Sequence, residues 1–506
     1  MSTPTLLGIV GAGAMGRGIA QIAAAAGVQV RLYDMQAGAA DNARDAIIAQ
    51  LKKLQEKGKL SEAIVSAAIK KIAAAHTLDT FADCDIVIEA IVENLDAKRE
   101  LLRTLEQIVG SACILATNTS SLSVTAIAAA ATHPERVAGF HFFNPVPLMK
   151  VVEVISGVLT AEPVAQFLVD FAISMGHRPV RARDTPGFIV NHASRGYLTE
   201  ALQIVQECAA DFSQVDDVMR EAAGFRLGPF ELLDLTGLDV SHPVMESIYR
   251  QYHQEPRYRP SVITAQRLSA GLLGRKSGRG FYRYENGAKR NDPASAVEAS
   301  AHPWAGTVWV AGTDPHTTAL LTALLSRCGA VVETGEYASA AALCLVAPLG
   351  EDVSTCVARE GLDAQRTIGI DTLTDCCGRL TLMTNPATDT ALARQAQALL
   401  AQSGQAVTLI RDSVGFIVQR VLATIVNIGC DIVQQGICTP EDLDCAVESG
   451  LAYPRGPLAW GDHIGAHRVL SILKNLHQST GDPRYRASPW LRRRAQLGLS
   501  LRHSHN

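Results

Sequence analysis

A histidine and a glutamate close the two ends of the run His141-Phe142-Phe143-Asn144-Pro145-Val146-Pro147-Leu148-Met149-Lys150-Val151-Val152-Glu153. If the chain turns back antiparallel around Pro147, the two lie six residues to either side of it and point the same way. The carboxylate would then fix one imidazole tautomer and raise its basicity, leaving the other nitrogen to take a proton from a hydroxyl as a hydride departs. Spacing alone favours a structural histidine.

A second constellation is Gly11-Ala12-Gly13-Ala14-Met15-Gly16, between an apolar strand and a helical pattern. Gly11 permits the tight turn, Gly13 lets the backbone approach a pyrophosphate, and Gly16 allows close helix to strand packing, with the anion on the helix N-terminus. Alone, such a run is an ordinary glycine turn. Here the next strand ends in Asp34, at the distance where an acid accepts hydrogen bonds from an adenosine ribose. Asp34 repels a 2′-phosphate and Met35-Gln36-Ala37 brings no arginine, so NAD is expected over NADP.

Asn118-Thr119-Ser120-Ser121 ends a strand where open α/β folds bind ligands. Ser120 can bond a substrate oxygen or cap the following helix, and Asn191 can bond substrate or pack between domains.

The elements that must position these residues alternate. Leu6 to Val10, Val28 to Asp34, Asp85 to Ala90, Ala112 to Asn118 and Arg136 to Phe143 read as strands separated by helical patterns, the signature of βαβ units. Ala37 to Ala75 reads as a helical arm broken at Gly58-Lys59. The pattern is wholly helical from Asp184 to about Tyr284, and the polar stretch Glu285 to Ala301 marks a linker.

The remainder of the chain reads as a worn copy. Arg366 to Asp371 parallels Arg136 to His141, Arg411 to Gln419 parallels Arg183 to Asn191, and Gly456-Pro457-Leu458 parallels Gly228-Pro229-Phe230. In it Asp371 takes the histidine position, Met383 the glutamate position and Gln419 the asparagine position. Val308 to Gly312 resembles a first strand without the fingerprint, so one active site per chain is expected.

The predicted class is α/β. A Rossmann-type domain with a helical arm (1–185) is followed by a helical domain (186–284), a linker (285–306), a degenerate α/β domain (307–410) and a second helical domain (411–506). A length of 506 residues fits several cores, at about 100 to 200 residues per domain.

A net charge of −4 gives no bulk field toward nucleic acid or acidic membrane, so any phosphate site must be local. No apolar run approaches the ~20 residues that span a bilayer. Eleven scattered cysteines with no C-x-x-C pair, and no leader pattern after Met1, read as a reduced, cytoplasmic protein. Arg492 to Arg494 reads as a solvated helix terminus. His463 and His467 have helical i, i+4 spacing but no third ligand, so no metal is expected.

The chain resembles the 3-hydroxyacyl-CoA dehydrogenase family through Asn118 to Leu122, the whole His141 to Glu153 run, Asp184 to Asn191, Gly228 to Leu232 and Gly274 to Tyr282. The resemblance covers residues 5 to about 284, and the duplicated tail looks like bacterial members of phenylacetate-type and related β-oxidation. It implies that NAD is the cofactor and an (S)-3-hydroxyacyl-CoA the substrate. His141 becomes the general base, Glu153 its partner, and Ser120 and Asn191 the hydroxyl or oxyanion contacts. It further implies that Glu93, Lys98, Asn144 and Lys276 contact NAD and that Lys57 contacts coenzyme A.

Two departures from the family pattern bear on substrate preference: His192 stands where an arginine is usual, and Arg226-Leu227 where Pro-Met is common. Shorter relatives generally dimerise through their helical domain, which implies a monomer or homodimer with the second helical domain packed on the first. The rival readings are a dehydrogenase of free 3-hydroxy acids, which commonly relies on a lysine base, and a noncatalytic NAD-responsive binding protein, which the degenerate half invites.

Overall fold

The computed structural model describes residues 4–290, 302–311 and 314–504. The expected linker falls largely on 291–301, and Gly312 closes the run from Val308; both lie outside the described residues. The chain divides into two compact units. One runs to His192 and includes Gln435–Ala452; the other holds Ala193–Gln434 and resumes at Tyr453.

The first unit is built on an eight-stranded sheet. In chain order its elements are β1 (Leu6–Val10), α1 (Ala14–Ala25), β2 (Gln29–Tyr33), α2 (Ala39–Glu56), α3 (Glu62–Lys70), β3 (Ile72–Ala75), β4 (Ile86–Glu89), α4 (Leu95–Ile108), β5 (Ile114–Thr117), α5 (Val124–Ala128), β6 (Val137–Phe142), β7 (Val151–Ser156), α6 (Glu162–Ser174) and β8 (Arg178–Arg183). The strand order is β3-β2-β1-β4-β5-β6-β7-β8, parallel except for the β6/β7 pair. Both faces are covered, which is why β1 is apolar throughout: Leu7 and Ile9 join one core with Ile19, Val30 and Phe140, while Leu6 and Val10 join another with Phe81, Leu102 and Leu115.

The five expected strands are present within a residue or two of their expected ends. The helical arm is present as α2 and α3, but its expected end, Ile72–Ala75, is strand β3, pairing with β2. Four residues of Ile-Ala-Ala-Ala carry no alternation, so only the neighbouring strand makes them extended.

Chain order and compactness part company at Gln435–Ala452. Its helix Pro440–Leu451 packs on β7 and β8, Ile437 O accepts from Arg183 N at 2.9 Å, and Arg178 meets Glu441 at 3.3 Å. β8 is the last strand of the sheet, so this segment covers an edge that would otherwise present unpaired backbone groups.

The second unit contains a six-stranded sheet ordered Val331–Glu333, Thr307–Val310, Leu343–Val346, Thr367–Ile370, Leu380–Met383, Val407–Ile410. Its only antiparallel pair among the described residues is Thr367–Ile370 with Leu380–Met383, the counterpart of β6/β7. The duplication is thus visible in topology, with two strands fewer.

Helices Arg195–Gln206 and Ile417–Gln434 of this unit lie against each other, and a Cβ on Gly196 would stand 2.9 Å from Ile425 Cα. Ile417–Gln434 is long and apolar enough to cross a membrane by length and composition, yet nearly all of it is buried in the unit. Arg420, 2% exposed, donates to Glu200 at 2.7 Å, Glu207 at 2.5 Å, Ser413 at 3.0 Å and Tyr485 at 3.0 Å.

Breaking a buried ion network by removing one member costs about 3–5 kcal/mol, because the remaining charge stays buried. Arg420→Ala is therefore expected to lower the melting temperature by several degrees, as followed by differential scanning calorimetry. An unchanged melting profile would show that the network contributes nothing to the helix pairing.

Candidate active site

Turning from β1 into α1, the chain passes Gly11 at φ +106°, where a Cβ would lie 2.5 Å from Ala90 O; one on Gly16 would lie 1.8 Å from Gly11 O. Backbone packing alone requires those two glycines. A Cβ on Gly13 would meet no protein atom within 4 Å, so packing does not require it. Its bareness leaves open space at the N-terminus of α1, where a pyrophosphate fits.

Asp34, just past β2, accepts from Ala12 N at 2.8 Å and from Gln36 N at 2.9 Å. Both bonds hold the carboxylate against the glycine turn with lone pairs left for a ribose. Beside it is a cavity of about 230 Å³ lined by Ala12, Arg17, Gln36, Ala37 and Asn42.

Arg17 was not anticipated. The residues directly after Asp34 carry no arginine, whereas Arg17 reaches this cavity from the first turns of α1. Its position directly after the third glycine was the available signal. Asp34→Ala is accordingly expected to weaken NAD about tenfold, from loss of a charged hydrogen-bond acceptor, and to raise relative efficiency with NADP because Arg17 remains. Steady-state kinetics with both cofactors checks this; an unchanged NAD to NADP ratio would mean that Asp34 does not contact the ribose.

β6 and β7 bring His141 and Glu153 together. His141 and Glu153 are direct partners in the antiparallel register, and His141 Nδ1 lies 2.6 Å from Glu153 Oε2. Glu153 has no exposed surface, and its Oε1 accepts from Ile189 N and Val190 N, each at 2.9 Å. Phe143 and Phe188 pack beside the imidazole, with ring centroids 4.5 and 5.9 Å away.

Sequence reasoning did not foresee the hub at Glu93. One oxygen, Oε1, lies 2.8 Å from Thr119 Oγ1, 2.8 Å from Ser120 N, 3.1 Å from Ser120 Oγ, 2.9 Å from Ser121 N and 3.0 Å from Ser121 Oγ. Burial pushes the Glu93 carboxyl up, but Lys98 and these donors outweigh it and hold it below the ordinary glutamate value. A carboxylate oxygen cannot satisfy so many donors at once. The Ser120 hydroxyl, the longest of these contacts at 3.1 Å, is the one a ligand oxygen can compete for.

Lys98 is only 1% exposed, and its ammonium bonds both oxygens of Glu89, at 2.9 and 2.8 Å, with Glu93 at 3.5 Å. It braces the Glu93 hub. Asn191 Nδ2 donates to Ser120 O at 3.3 Å, so Asn191, Ser120 and Glu93 form one connected group. Asn144 lines a cavity of about 460 Å³ with Arg17, Gln21 and the arm residues Ala46, Ile47, Gln50 and Leu54. Lys57, exposed at the end of α2, is not among its lining residues, and Arg17 is the cation there. Lys276 belongs to the other unit, where it pairs with Asp239 at 2.6 Å.

In the worn copy, the register opposes Gly369 to Met383 as β6/β7 opposes Gly139 to Ile155. Asp371 N bonds Thr381 O, so Thr381, not Met383, stands at the glutamate position. The turn there is shorter, and counting along the sequence overshot by one full side-chain repeat. Gln419 donates to Asp371 at 3.0 Å and to Pro348 O at 3.1 Å. Asp371 is buried, and burial pushes its carboxyl up. No imidazole remains there to take up a proton.

Two smaller expectations also change. His463 and His467 do not share a helix, because Gly465 at φ +95° separates Pro457–Ile464 from Ala466–Thr480. Arg494 is not solvated: it is 2% exposed, stacks on Trp490 and donates to His503 O.

Residues 6–185 match the family description "3-hydroxyacyl-CoA dehydrogenase, NAD binding domain", and 187–284 and 415–505 match its C-terminal domain. The chain is 38% identical over 491 residues to 3-hydroxyadipyl-CoA dehydrogenase of Escherichia coli, covering 97% of each. It is 43% identical over 277 residues to a probable 3-hydroxybutyryl-CoA dehydrogenase of Bacillus subtilis, covering 55% of this chain and 96% of that one. Among solved structures, 3-hydroxybutyryl-CoA dehydrogenase of E. coli K12 superposes with a TM-score of 0.84 at 34% identity, covering 98% of this chain and 99% of that one.

Proposed function

Since the chain belongs to the 3-hydroxyacyl-CoA dehydrogenase family, we propose that it oxidises (S)-3-hydroxyacyl-CoA thioesters reversibly to 3-ketoacyl-CoA with NAD. The observation that carries this is the locked His141–Glu153 pair. Glu153 Oε1 takes two backbone N–H groups while Oε2 faces Nδ1 at 2.6 Å, so the carboxylate acts only as an acceptor and Nδ1 must carry the proton. His141 Nε2 is then the free base that removes the hydroxyl proton of the substrate. NAD, when bound, would supply the acceptor for the hydride on the carbon that bears that hydroxyl.

Ser120 Oγ and Asn191 Nδ2 hold the substrate oxygen in this reading, with Glu93 and Lys98 fixing the loop that carries Ser120. Gly11, Gly13, Gly16 and Asp34 hold the dinucleotide, with Asn144 beside it. Arg17 is the cation for a coenzyme A phosphate in the arm cavity, ahead of Lys57. The full-length likeness to a 3-hydroxyadipyl-CoA enzyme supports a place in fatty-acid or aromatic-acid β-oxidation and makes a carboxylated acyl end the first candidate to assay. Eleven free thiols support a cytoplasmic location. The pairing of the two long helices supports a monomer whose second helical domain takes the place of a partner subunit.

Acetoacetyl-CoA and free acetoacetate, each followed by nicotinamide absorbance, test the proposal. The thioester is expected to be turned over orders of magnitude more efficiently, because the binding energy of its coenzyme A portion is used to position the reacting carbon. Equal efficiency would favour a free-acid dehydrogenase. NAD binding without turnover of any acyl-CoA would favour a noncatalytic role.

A further inference from the structure

A cavity of about 980 Å³ lies in the second unit and is lined only by residues between Phe212 and Arg290. Its lining holds six arginine or lysine side chains and two carboxylates, Asp217 and Glu231. In a chain of net charge −4 this is a concentrated positive site. Both carboxylates are already engaged by Arg220, and Glu231 is also held by Lys289 at 2.7 Å.

Arg290 pairs with Glu285 at 2.9 Å, whereas Arg267 and Arg279 are set differently. The Arg267 guanidinium lies 4.2 Å from the centroid of Phe281 and donates to Gly280 O. An aromatic face thus holds this cation in place without neutralising it. Among the described residues Arg279 has no side-chain hydrogen bond or ion pair, and it is exposed at the rim. Burial lowers the pKa of Arg267, Asp234 opposes this, and the like charge of Arg279 adds a smaller lowering, so the two guanidinium groups are near enough to repel each other. A bound anion would relieve that repulsion.

We propose that this cavity binds a nucleotide-sized organic polyphosphate, as a second ligand site built from the helical domain and the short hairpin that follows it. Guanidinium forks match phosphate oxygens in pairs, and the volume is in the range of small-molecule sites, about 300–1,000 Å³. The site is independent of the redox reaction proposed above, which uses none of its lining residues.

The test is calorimetric titration of the full chain, saturated with NAD to fill the dinucleotide groove, with inorganic pyrophosphate and with ATP. Both are expected to bind, ATP at least as tightly, with affinity falling as salt rises. Arg279→Glu and Arg267→Ala should each weaken both ligands by about tenfold or more, the loss of one charge-assisted contact, while turnover and NAD affinity stay unchanged. Arg279 is exposed and its side chain holds no other element in place, so its variant is not at risk of misfolding. No binding of either probe, ATP binding more weakly than pyrophosphate, or binding unchanged in both variants would overturn the proposal.

Discussion

Replacing His141 with glutamine is expected to lower turnover by about 10²–10⁴-fold, the usual contribution of a positioned general base, while leaving NAD affinity nearly intact. The split follows from where the side chain sits. His141 is bonded to Glu153 and packed between Phe143 and Phe188, whereas the groups assigned to the dinucleotide cluster around the β1 to α1 turn and Asp34. A glutamine amide fills similar space but has no basic nitrogen. Glu153→Gln should act in the same direction for a second reason. If the amide oxygen keeps Ile189 N and Val190 N, its NH2 faces His141 Nδ1 and donates to it, which moves the imidazole proton to Nε2 and removes the base. Cofactor titration by fluorescence, run beside single-turnover absorbance, separates the two quantities. A His141→Gln enzyme with near wild-type turnover would remove His141 from the mechanism.

Deleting residues 303 to 506 is expected to change the state of association outright, giving dimers or aggregates. Nine of the twelve residues of helix Arg195–Gln206 are buried, among them Tyr197, Leu198, Leu202 and Ile204, and helix Ile417–Gln434 packs along it. Removing that cover would return several large apolar side chains to water, each worth about 1.5–3 kcal/mol on burial. The same deletion strips Gln435–Ala452 from the exposed edge at β8, a second route to association. Any folded product should still bind NAD, because the glycine turn and Asp34 lie wholly within the retained chain. Light scattering beside cofactor titration reads both outcomes. A truncated protein that stays a monodisperse monomer would show that the copied half does not shield these surfaces.

Much of the chemistry is legible in the sequence, because it is written in short spacings. The glycine turn, the acid ending the second strand, and a histidine and glutamate symmetric about a turn all depend on geometry within one βαβ unit or one strand pair. The order of landmarks also discloses the duplication and the loss of the relay in the second copy. Composition and strand pattern suffice for the α/β class, since strands covered on both faces must be apolar throughout.

The rest depends on partners far apart in the chain. Glu93 is made a hub by Thr119, Ser120 and Ser121, more than two dozen residues away, and Lys98 by the same folding is buried as its brace. Arg17 lines a cavity with the arm because folding brings α1 and α2 together. Thr381 rather than Met383 opposes Asp371 because turn length, not residue count, sets register. Gln435–Ala452 leaves its neighbours in the chain to cover a sheet edge. In each case the side chain's own type was compatible with several environments, and burial against distant elements selected one. Local pattern therefore specifies the His141–Glu153 pair and the glycine turn, while long-range packing specifies which charged side chains are buried around them.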